Sequence, residues 1–220
     1  AGQPMAVTVT QSTESGTLYA LEEIERIAEI AKGHDIPLHM DGARFANALA
    51  ALDVSPAEMT WKRGVDILSF GATKNGCWCA EAIVFMNPEH ARQLPFIRKQ
   101  SAQLFSKTRF VAAQFEAYFE DGLWLELAAH ANAMADRLRA GIAASRNARA
   151  AWETRGNEVF AIIRNDASKN LRDAGAQFYD WHEIPEHLHE SMAADETLVR
   201  LVTAFATEAA DVDRFVDILR

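Results

Sequence analysis

The apolar and polar positions in the first part of the chain change period twice. Val7 to Thr10 has the alternation of a short strand, and Gln11 to Gly16 is polar and turn-like. The next segment has apolar residues at helical spacing and charged residues on the opposite side, which predicts an amphipathic surface helix with Gly33 as its C-cap. The apolar positions of this helix are Leu21, Ile24, Ala28 and Ala31.

Three more strands are predicted in the same half, and two of them lead into residues that could carry chemistry. Ile36 to Met40 is an apolar run that ends in Asp41-Gly42, and Val65 to Phe70 ends in Gly71-Ala72-Thr73-Lys74. Ala82 to Met86 is the third strand. Strands separated by helical segments predict a layered α/β architecture, in which ligands bind beyond the carboxyl ends of the strands.

The second half begins with a long helical region and then becomes mixed. From Glu89 to about Arg149 the sequence is rich in alanine and helical in period. One turn-spaced stripe consists of Phe110, Ala113, Gln114 and Ala117, and another of Leu123, Leu127, His130 and Met134. The segment is expected to cover the sheet and lead out of the domain. The later strands are Val159 to Ile163, Phe178 to Trp181 and Leu198 to Thr203, with one helix before the second strand and another from Glu208 to Leu219. We therefore predict a large α/β domain over residues 1–150 and a small α+β domain over 151–220.

Composition narrows the possible partners. The chain has 220 residues, of which 49% are hydrophobic and 24% charged, as in ordinary globular proteins. A formal charge of -9 without any basic run makes nucleic acid an improbable partner. No apolar stretch reaches the roughly 20 residues of a membrane helix, so no membrane partner is expected.

Cysteine and histidine usage predicts neither a disulfide nor a metal site. Cys77 and Cys79 are separated by one residue, a poor geometry for a disulfide and too few ligands for zinc, which favours the cytoplasm. With Trp78 they are expected to pack in the interior. Three histidines occupy a polar loop without helical i, i+4 spacing, so a metal is not expected there. They are His182, His187 and His189.

Asp41 and Lys74 each have an ordinary structural explanation when taken alone. Asp41 and Arg44, in His39-Met40-Asp41-Gly42-Ala43-Arg44, could form a surface ion pair. Lys74 lies between Gly71 and Gly76, where a solvated loop lysine fits as well as a catalytic one, and the order of a Walker loop is absent. As a pair they suit an aldehyde cofactor, which needs a lysine amine for a Schiff base and a carboxylate to keep its pyridine nitrogen protonated.

At these residues the sequence resembles the threonine aldolases, of the β-eliminating lyase group among fold-type I pyridoxal-phosphate enzymes. The resemblance runs nearly end to end, and its motifs are specific in combination. They are Val9 to Tyr19, His39 to Ala48, Lys74 to Glu81 and Val199 to Thr203. The implied fold is α/β of the aspartate-aminotransferase type. Because family members carry roughly a further third of the chain ahead of Ala1, we expect the phosphate cradle, the ring-stacking residue and the β-hydroxyl base to lie outside this sequence.

The resemblance implies a role for four residues. Lys74 would form the Schiff base with pyridoxal 5'-phosphate, and Asp41 would pair with the protonated pyridine nitrogen. Arg44 would lie near the phenolic oxygen of the cofactor and help to bind the substrate carboxylate, which Arg200 would clamp from the small domain. The implied reaction is retro-aldol cleavage of β-hydroxy-α-amino acids, in which threonine gives glycine and acetaldehyde. A homodimer or homotetramer acting on a small amino acid is implied as well.

Two other functions remain open from the sequence, together with weaker site candidates. Another fold-type I enzyme, such as an aminotransferase or a β-eliminating lyase, would also use Lys74 and Asp41, although Arg44 and Arg200 favour the aldolase. The other alternative is an inactive truncated paralogue. Some polar residues could serve the cofactor or simply satisfy turns, helix starts and solvent. They are Gln11, Glu14, Thr73, Asn75 and Arg109. His39 is expected to pack or to hydrogen-bond Asp41 rather than to transfer protons.

Overall fold

The computed structural model describes residues 2–104 and 106–220, which divide into two compact units. The first unit holds the chain up to Thr13 together with Leu18–Leu127. The second holds Glu14–Thr17 and Ala128–Arg220. The domain boundary at residue 150 stays a prediction, because a compact unit is not necessarily a domain that folds independently.

A mostly parallel sheet forms the centre of the first unit. Its four strands lie in the order β1-β2-β3-β4. They are β1 (Val7–Thr10), β2 (Leu38–Gly42), β3 (Ile67–Gly71) and β4 (Glu81–Phe85). The first three pair in parallel and β4 is antiparallel to β3. Thr10 pairs with Asp41, and Asp41 pairs with Ser69, so the carboxyl ends of three strands share one edge.

Helices cover this sheet and extend towards the C-terminus. They are α1 (Leu21–Gly33), α2 (Phe45–Leu52), α3 (Pro56–Met59), α4 (Leu94–Gln100), α5 (Arg109–Phe119) and α6 (Leu123–Ala143), which continues into the second unit. Short 3-10 turns occur at Trp61–Arg63, Thr73–Asn75, Pro88–Ala91 and Glu120–Gly122. In α1 the predicted inward face is confirmed, because Ile24, Ala28 and Ala31 are buried. The α1 helix ends in Gly33 itself, and His34 is its C-cap.

The stripe predicted for α5 is not the face that packs into the core, whereas the α6 stripe is half right, because Leu127 and Met134 are partly buried against a core. In α5, Val111, Phe115 and Tyr118 pack into the core, whereas Phe110 is 56% exposed and lies against the guanidinium of Arg109. The aromatic cluster around Phe70 selects this face, since its ring stands 6.0 Å from that of Phe115. The buried positions of α6 are mostly small, and they are Ala128, Ala131, Asn132, Ala135, Leu138, Gly141 and Ile142.

The second unit is an antiparallel sheet with α7 and α9 on one face and the short α8 on the other. Its strand order is β5-β6-β8-β7. The strands are β5 (Ala148–Ala150), β6 (Glu158–Arg164), β7 (Tyr179–Asp180) and β8 (Glu196–Val202). The helices are α7 (Asn165–Asp173), α8 (Glu186–His189) and α9 (Ala209–Leu219). The predicted strands and helices of this region are confirmed. β5 was missed because it is short and follows a long helical pattern, and the four-residue α8 lies where a polar loop was predicted.

Close packing of α6 on α9 depends on a glycine. A Cβ atom on Gly141 would lie 2.1 Å from Cγ2 of Val216, so a larger residue at this position would push the two helices apart. Among the described residues, no helix combines the length and the apolar composition that a bilayer-spanning segment requires.

Candidate active site

Asp41 stands at the carboxyl end of β2 and is held by the backbone on both sides. Its carbonyl oxygen accepts a hydrogen bond from the Gln11 amide at 2.9 Å. Its Oδ1 accepts one from the Ala43 amide at 3.0 Å, which fixes the side chain over the turn that follows. Within the described part of the chain Oδ2 makes no hydrogen bond or ion pair, so one oxygen of a half-buried carboxylate remains available.

The alternation of the strands gives Asp41 polar neighbours. Residues opposite one another in parallel register point to the same face of a sheet, so Asp41 and Ser69 share a face. His39 lies on that face too, and its Nε2 is 2.8 Å from Oγ of Ser69, whereas its Nδ1 is 3.4 Å from Oγ1 of Thr8. Of the two expected roles of His39, a hydrogen bond to Asp41 is wrong: the His39 ring reaches Thr8 and Ser69 on the neighbouring strands, whereas the Asp41 side chain bonds the turn that follows it.

Lys74 lies in a tight turn directly after β3. The Ala72 amide donates to the carbonyl of Ala80 at 3.0 Å, and the Cys77 amide donates to the carbonyl of Ala72 at 3.2 Å, so the chain folds back at once into β4. The side chain of Lys74 is exposed. Within the described residues its Nζ forms no hydrogen bond or ion pair, which leaves the amine unengaged at the edge of the sheet.

A buried amide anchors the Lys74 turn to the helices. Asn75 is 3% exposed, and its Nδ2 donates to the Tyr118 hydroxyl at 2.6 Å and to the carbonyl of Trp124 at 2.8 Å. Desolvation raises the pKa of Tyr118 from 10.0 to about 12, so the phenol stays protonated at neutral pH. On the other side of Lys74, Oγ1 of Thr73 accepts from the Ala80 amide at 3.1 Å. Thr73 and Asn75 thus satisfy the turn itself.

The turns that carry Asp41 and Lys74 touch one another. A Cβ atom on Gly71 would lie 3.0 Å from Cα of Ala43 and 3.2 Å from its carbonyl oxygen. The absence of a side chain at Gly71 is what allows the two loops to approach so closely. Lys74 and Asp41 are therefore placed by a single close-packed pair of strand ends.

Of the two predicted arginines, Arg44 belongs to this edge of the sheet. Arg44 is the N-cap residue of α2, three positions after Asp41, and it is 9% exposed. A cation this deeply buried is positioned by its surroundings rather than by solvent. Its contact with a substrate carboxylate stays a prediction.

Arg200 lies in the second unit, on β8, and is engaged by acids there. Its Nε donates to Oε1 of Glu158 at 2.8 Å, and its Nη2 binds the same oxygen. Its Nη2 is also 3.4 Å from Oε2 of Glu14. The contribution of Glu158 could not be read from the sequence, because Glu158 only precedes the apolar run of β6 and its partner is 42 positions away.

Comparison with known proteins assigns the family. Residues 3–166 match the family model described as Beta-eliminating lyase. The chain belongs to the beta-eliminating lyase family. The match covers most of the chain, and it agrees with the resemblance to threonine aldolases that the sequence motifs indicated.

Relatives within the beta-eliminating lyase family include low specificity L-threonine aldolases. One from Pseudomonas sp. (strain NCIMB 10558) is 43% identical over 177 residues, which cover 80% of this chain and 51% of the relative. Another from Pseudomonas aeruginosa is also 43% identical over 177 residues. The threonine aldolase structure from Leishmania major aligns with a TM-score of 0.87 and 32% identity, covering 98% of this chain and 60% of that one. The predicted fold-type I architecture is confirmed, and the chain spans about half the length of the curated relatives it matches.

Members of the beta-eliminating lyase family use pyridoxal phosphate, and the residues present fit that cofactor. Asp41 and Lys74 carry opposite charges on adjoining turns, yet within the described residues they form no ion pair with each other. A carboxylate with one available oxygen and an unengaged amine are the two groups that a protonated ring nitrogen and an aldehyde require. Asp41 and Lys74 would hold the cofactor at its two ends.

Gly71→Ala is expected to weaken cofactor binding as well as stability. The new methyl group would press against the Ala43 backbone, whose amide orients the Asp41 carboxylate, and such overpacking costs about 1–3 kcal/mol. Urea unfolding and titration with pyridoxal phosphate measure the two effects. The control is Gly33→Ala, because a Cβ atom there meets nothing within 4 Å. Unchanged cofactor affinity in Gly71→Ala would show that the contact between the turns does not position Asp41.

Two residues near the site differ from their predicted environments. Gln11 was expected to be a solvated turn residue but is fully buried: its side chain donates to the carbonyl of Tyr19 and accepts from the amide of that residue. Trp78 was expected in the interior together with Cys77 and Cys79. This is wrong for Trp78, which is 83% exposed, and for Cys79, which is exposed, whereas Cys77 is half-buried and packs against the core. Local composition predicts neither the burial of Gln11 nor the exposure of Trp78, because each depends on whether a distant segment covers the loop.

Proposed function

We propose that this chain carries the cofactor-holding half of an enzyme that cleaves β-hydroxy-α-amino acids by a retro-aldol reaction, with threonine giving glycine and acetaldehyde. The observation that carries the proposal is the position of Lys74 and Asp41 on two turns that contact each other at the carboxyl ends of parallel strands. The amine of Lys74 and one oxygen of Asp41 have no partner among the described residues. The names of the Pseudomonas and Leishmania relatives support the reaction class.

In this proposal each residue at the sheet edge has a defined task. The Lys74 amine holds the cofactor covalently, and Asp41 keeps a proton on its ring nitrogen by accepting a charge-assisted hydrogen bond. When bound, pyridoxal phosphate supplies a sink for the electron pair of the breaking Cα–Cβ bond. Asn75 and Thr73, on either side of Lys74, form hydrogen bonds within the protein. These bonds hold the turn, and so they fix the position from which the Lys74 side chain extends.

Arg44 and Arg200 orient the substrate in the same proposal. A guanidinium binds a carboxylate through two parallel N–H groups, which fixes direction as well as position. Holding the carboxylate in this way selects which bond at Cα stands perpendicular to the cofactor ring, and that bond is the one that breaks. For an aldolase the selected bond is Cα–Cβ.

The test is to incubate the purified chain with pyridoxal phosphate and then with threonine. We expect a visible absorption band of the bound cofactor and release of acetaldehyde. A parallel sample receives threonine and a keto acid. Amino transfer to the keto acid would contradict the aldolase in favour of an aminotransferase, and a cofactor band without acetaldehyde would contradict the activity.

We also propose that the protein acts in the cytoplasm as a homodimer or homotetramer, without nucleic-acid or membrane partners. The formal charge of -9 and the two cysteines, which are free, support this proposal. Sedimentation equilibrium measures the assembly, and a monomer at micromolar concentration would contradict it.

A further inference from the structure

Arg200 is surrounded by a buried acid, an exposed acid and an aromatic ring, all within the second unit. Glu158 is 1% exposed and receives both Nε and Nη2 of Arg200 on a single oxygen. The guanidinium carbon lies 5.5 Å from the centroid of the Trp181 ring, which covers one face of the cation. Arg200 itself keeps 20% of its side chain exposed, so one side of the guanidinium is open to solvent.

The two acids bind Arg200 with very different strength. Glu158 is buried, and a buried carboxylate that loses a cationic partner is strongly destabilising, so this pair is permanent in the folded protein. Glu14 keeps 63% of its side chain exposed and stands 3.4 Å from Nη2. An exposed ion pair of this kind contributes little and is readily exchanged.

The position of Glu14 is nevertheless built into the structure. Its loop is fastened to the second unit by two hydrogen bonds of 2.8 Å, from Nε1 of Trp152 to the Ser15 carbonyl and from the Arg155 amide to the Gly16 carbonyl. Gly16 has φ +70, and a Cβ atom there would lie 3.2 Å from Cβ of Glu158. Only glycine lets the loop approach Glu158 this closely, so the backbone of the loop places Glu14 beside Arg200.

The net charge around Arg200 disfavours a third carboxylate beside Glu14 and Glu158. One guanidinium with two carboxylates carries a net charge of -1. A third carboxylate would meet two like charges in a partly desolvated site, where such repulsion is strong. Glu158 cannot leave without exposing a buried charge, whereas Glu14 can turn into solvent. An incoming carboxylate therefore exchanges with Glu14.

We propose that Arg200 is a carboxylate-exchange site, in which Glu158 is the fixed positioning residue and Glu14 holds the place of the incoming carboxylate until it arrives. The proposal rests on the proposed function only in naming that carboxylate as the one of the amino-acid substrate. Glu14 thereby pairs with the open side of Arg200 when no substrate is bound and lowers the affinity for the carboxylate that replaces it.

Nitrogen-15 NMR of the arginine Nε–H groups in the full chain tests the exchange directly. The Arg200 signal is assigned by its loss in Arg200→Lys, and the protein is titrated with sodium acetate at constant ionic strength set with chloride. We expect acetate to shift the Arg200 signal and Glu14→Gln to tighten acetate binding about two- to fivefold, the range of an exposed ion pair.

Glu153→Gln is the matched control, because Glu153 is an exposed acid of the same unit outside the Arg200 contacts. It removes the same charge and should leave the acetate affinity as in the wild type. Equal affinities in the wild type and Glu14→Gln would overturn the exchange, and so would an Arg200 signal that does not respond to acetate.

The positioning role of Glu158 has its own readout. In Glu158→Gln the Arg200 Nε–H loses its charged acceptor, and its signal is expected to broaden through exchange with water, whereas Glu158→Asp should restore part of it. A sharp, unshifted signal in a folded Glu158→Gln protein would overturn this role. The cofactor absorption band, recorded on the same wild-type sample, separates the two proposals: its absence would contradict the proposed function and leave the acetate result standing.

Discussion

Replacement of Lys74 by alanine is expected to abolish the absorption band of protein-bound pyridoxal phosphate and to lower kcat/KM for threonine by about 10³-fold or more. The reason is that the amine of Lys74 is the one that the sheet presents beside Asp41, without a partner among the described residues. Because the side chain is exposed, its truncation should change the free energy of unfolding by no more than about 0.5 kcal/mol.

Spectra of the wild type, Lys74→Ala and a control lysine variant make the measurement. Lys32→Ala suits as the control, since Lys32 is an exposed residue in the last turn of α1. It should keep the full band. Retention of the band in Lys74→Ala, resistant to dialysis, would mean that another amine holds the cofactor.

Asp41→Asn is expected to preserve the fold and lower kcat/KM by about 10²–10³-fold. Asparagine keeps an oxygen to accept the Ala43 amide, now at 3.0 Å from Oδ1, but it lacks the negative charge that stabilises a proton on the ring nitrogen. Alanine at this position would not separate the loss of charge from a change in structure, because it would also remove the hydrogen bond from the Ala43 amide. Urea unfolding and turnover, measured together, separate charge from structure.

The control for Asp41→Asn is the same substitution at the end of α2. Asp53 is exposed and has φ 53, a left-handed conformation that asparagine tolerates as well as aspartate does. Asp53→Asn should bind cofactor and turn over threonine like the wild type. If Asp41→Asn did the same, the role assigned to the Asp41 carboxylate would be wrong.

The strands and the two main site residues were predictable because their signals are local. An apolar run followed by Asp41-Gly42, and another followed by a glycine-bounded lysine, identify strand ends, and parallel strand ends lie at a common edge. The boundaries shifted by one or two residues: β2 runs from Leu38 to Gly42 rather than from Ile36 to Met40. Such shifts are expected, since pairing partners rather than composition end a strand.

What the sequence did not predict are contacts between distant residues. Asn75 was left between two roles until its partner Tyr118, 43 positions away, showed that it anchors the turn. Arg200 was assigned a substrate role without its partner Glu158, which the sequence places only at the edge of the apolar run of β6. The inward face of α5 was misjudged because both candidate faces are apolar, and the ring of Phe70 decides between them.

The hydrogen bond from Asn75 to Tyr118 joins the Lys74 turn to α5 in one cooperative unit. If the last turns of α5 open, Asn75 keeps only the Trp124 carbonyl as an acceptor and the lysine turn loses part of its anchor, so local unfolding of the helix loosens the turn at Lys74. Free energy gained by a ligand on Lys74 therefore also resists opening of α5. Slowed amide hydrogen exchange in α5 would therefore report a ligand on Lys74, although β4 and α4 separate the two along the chain.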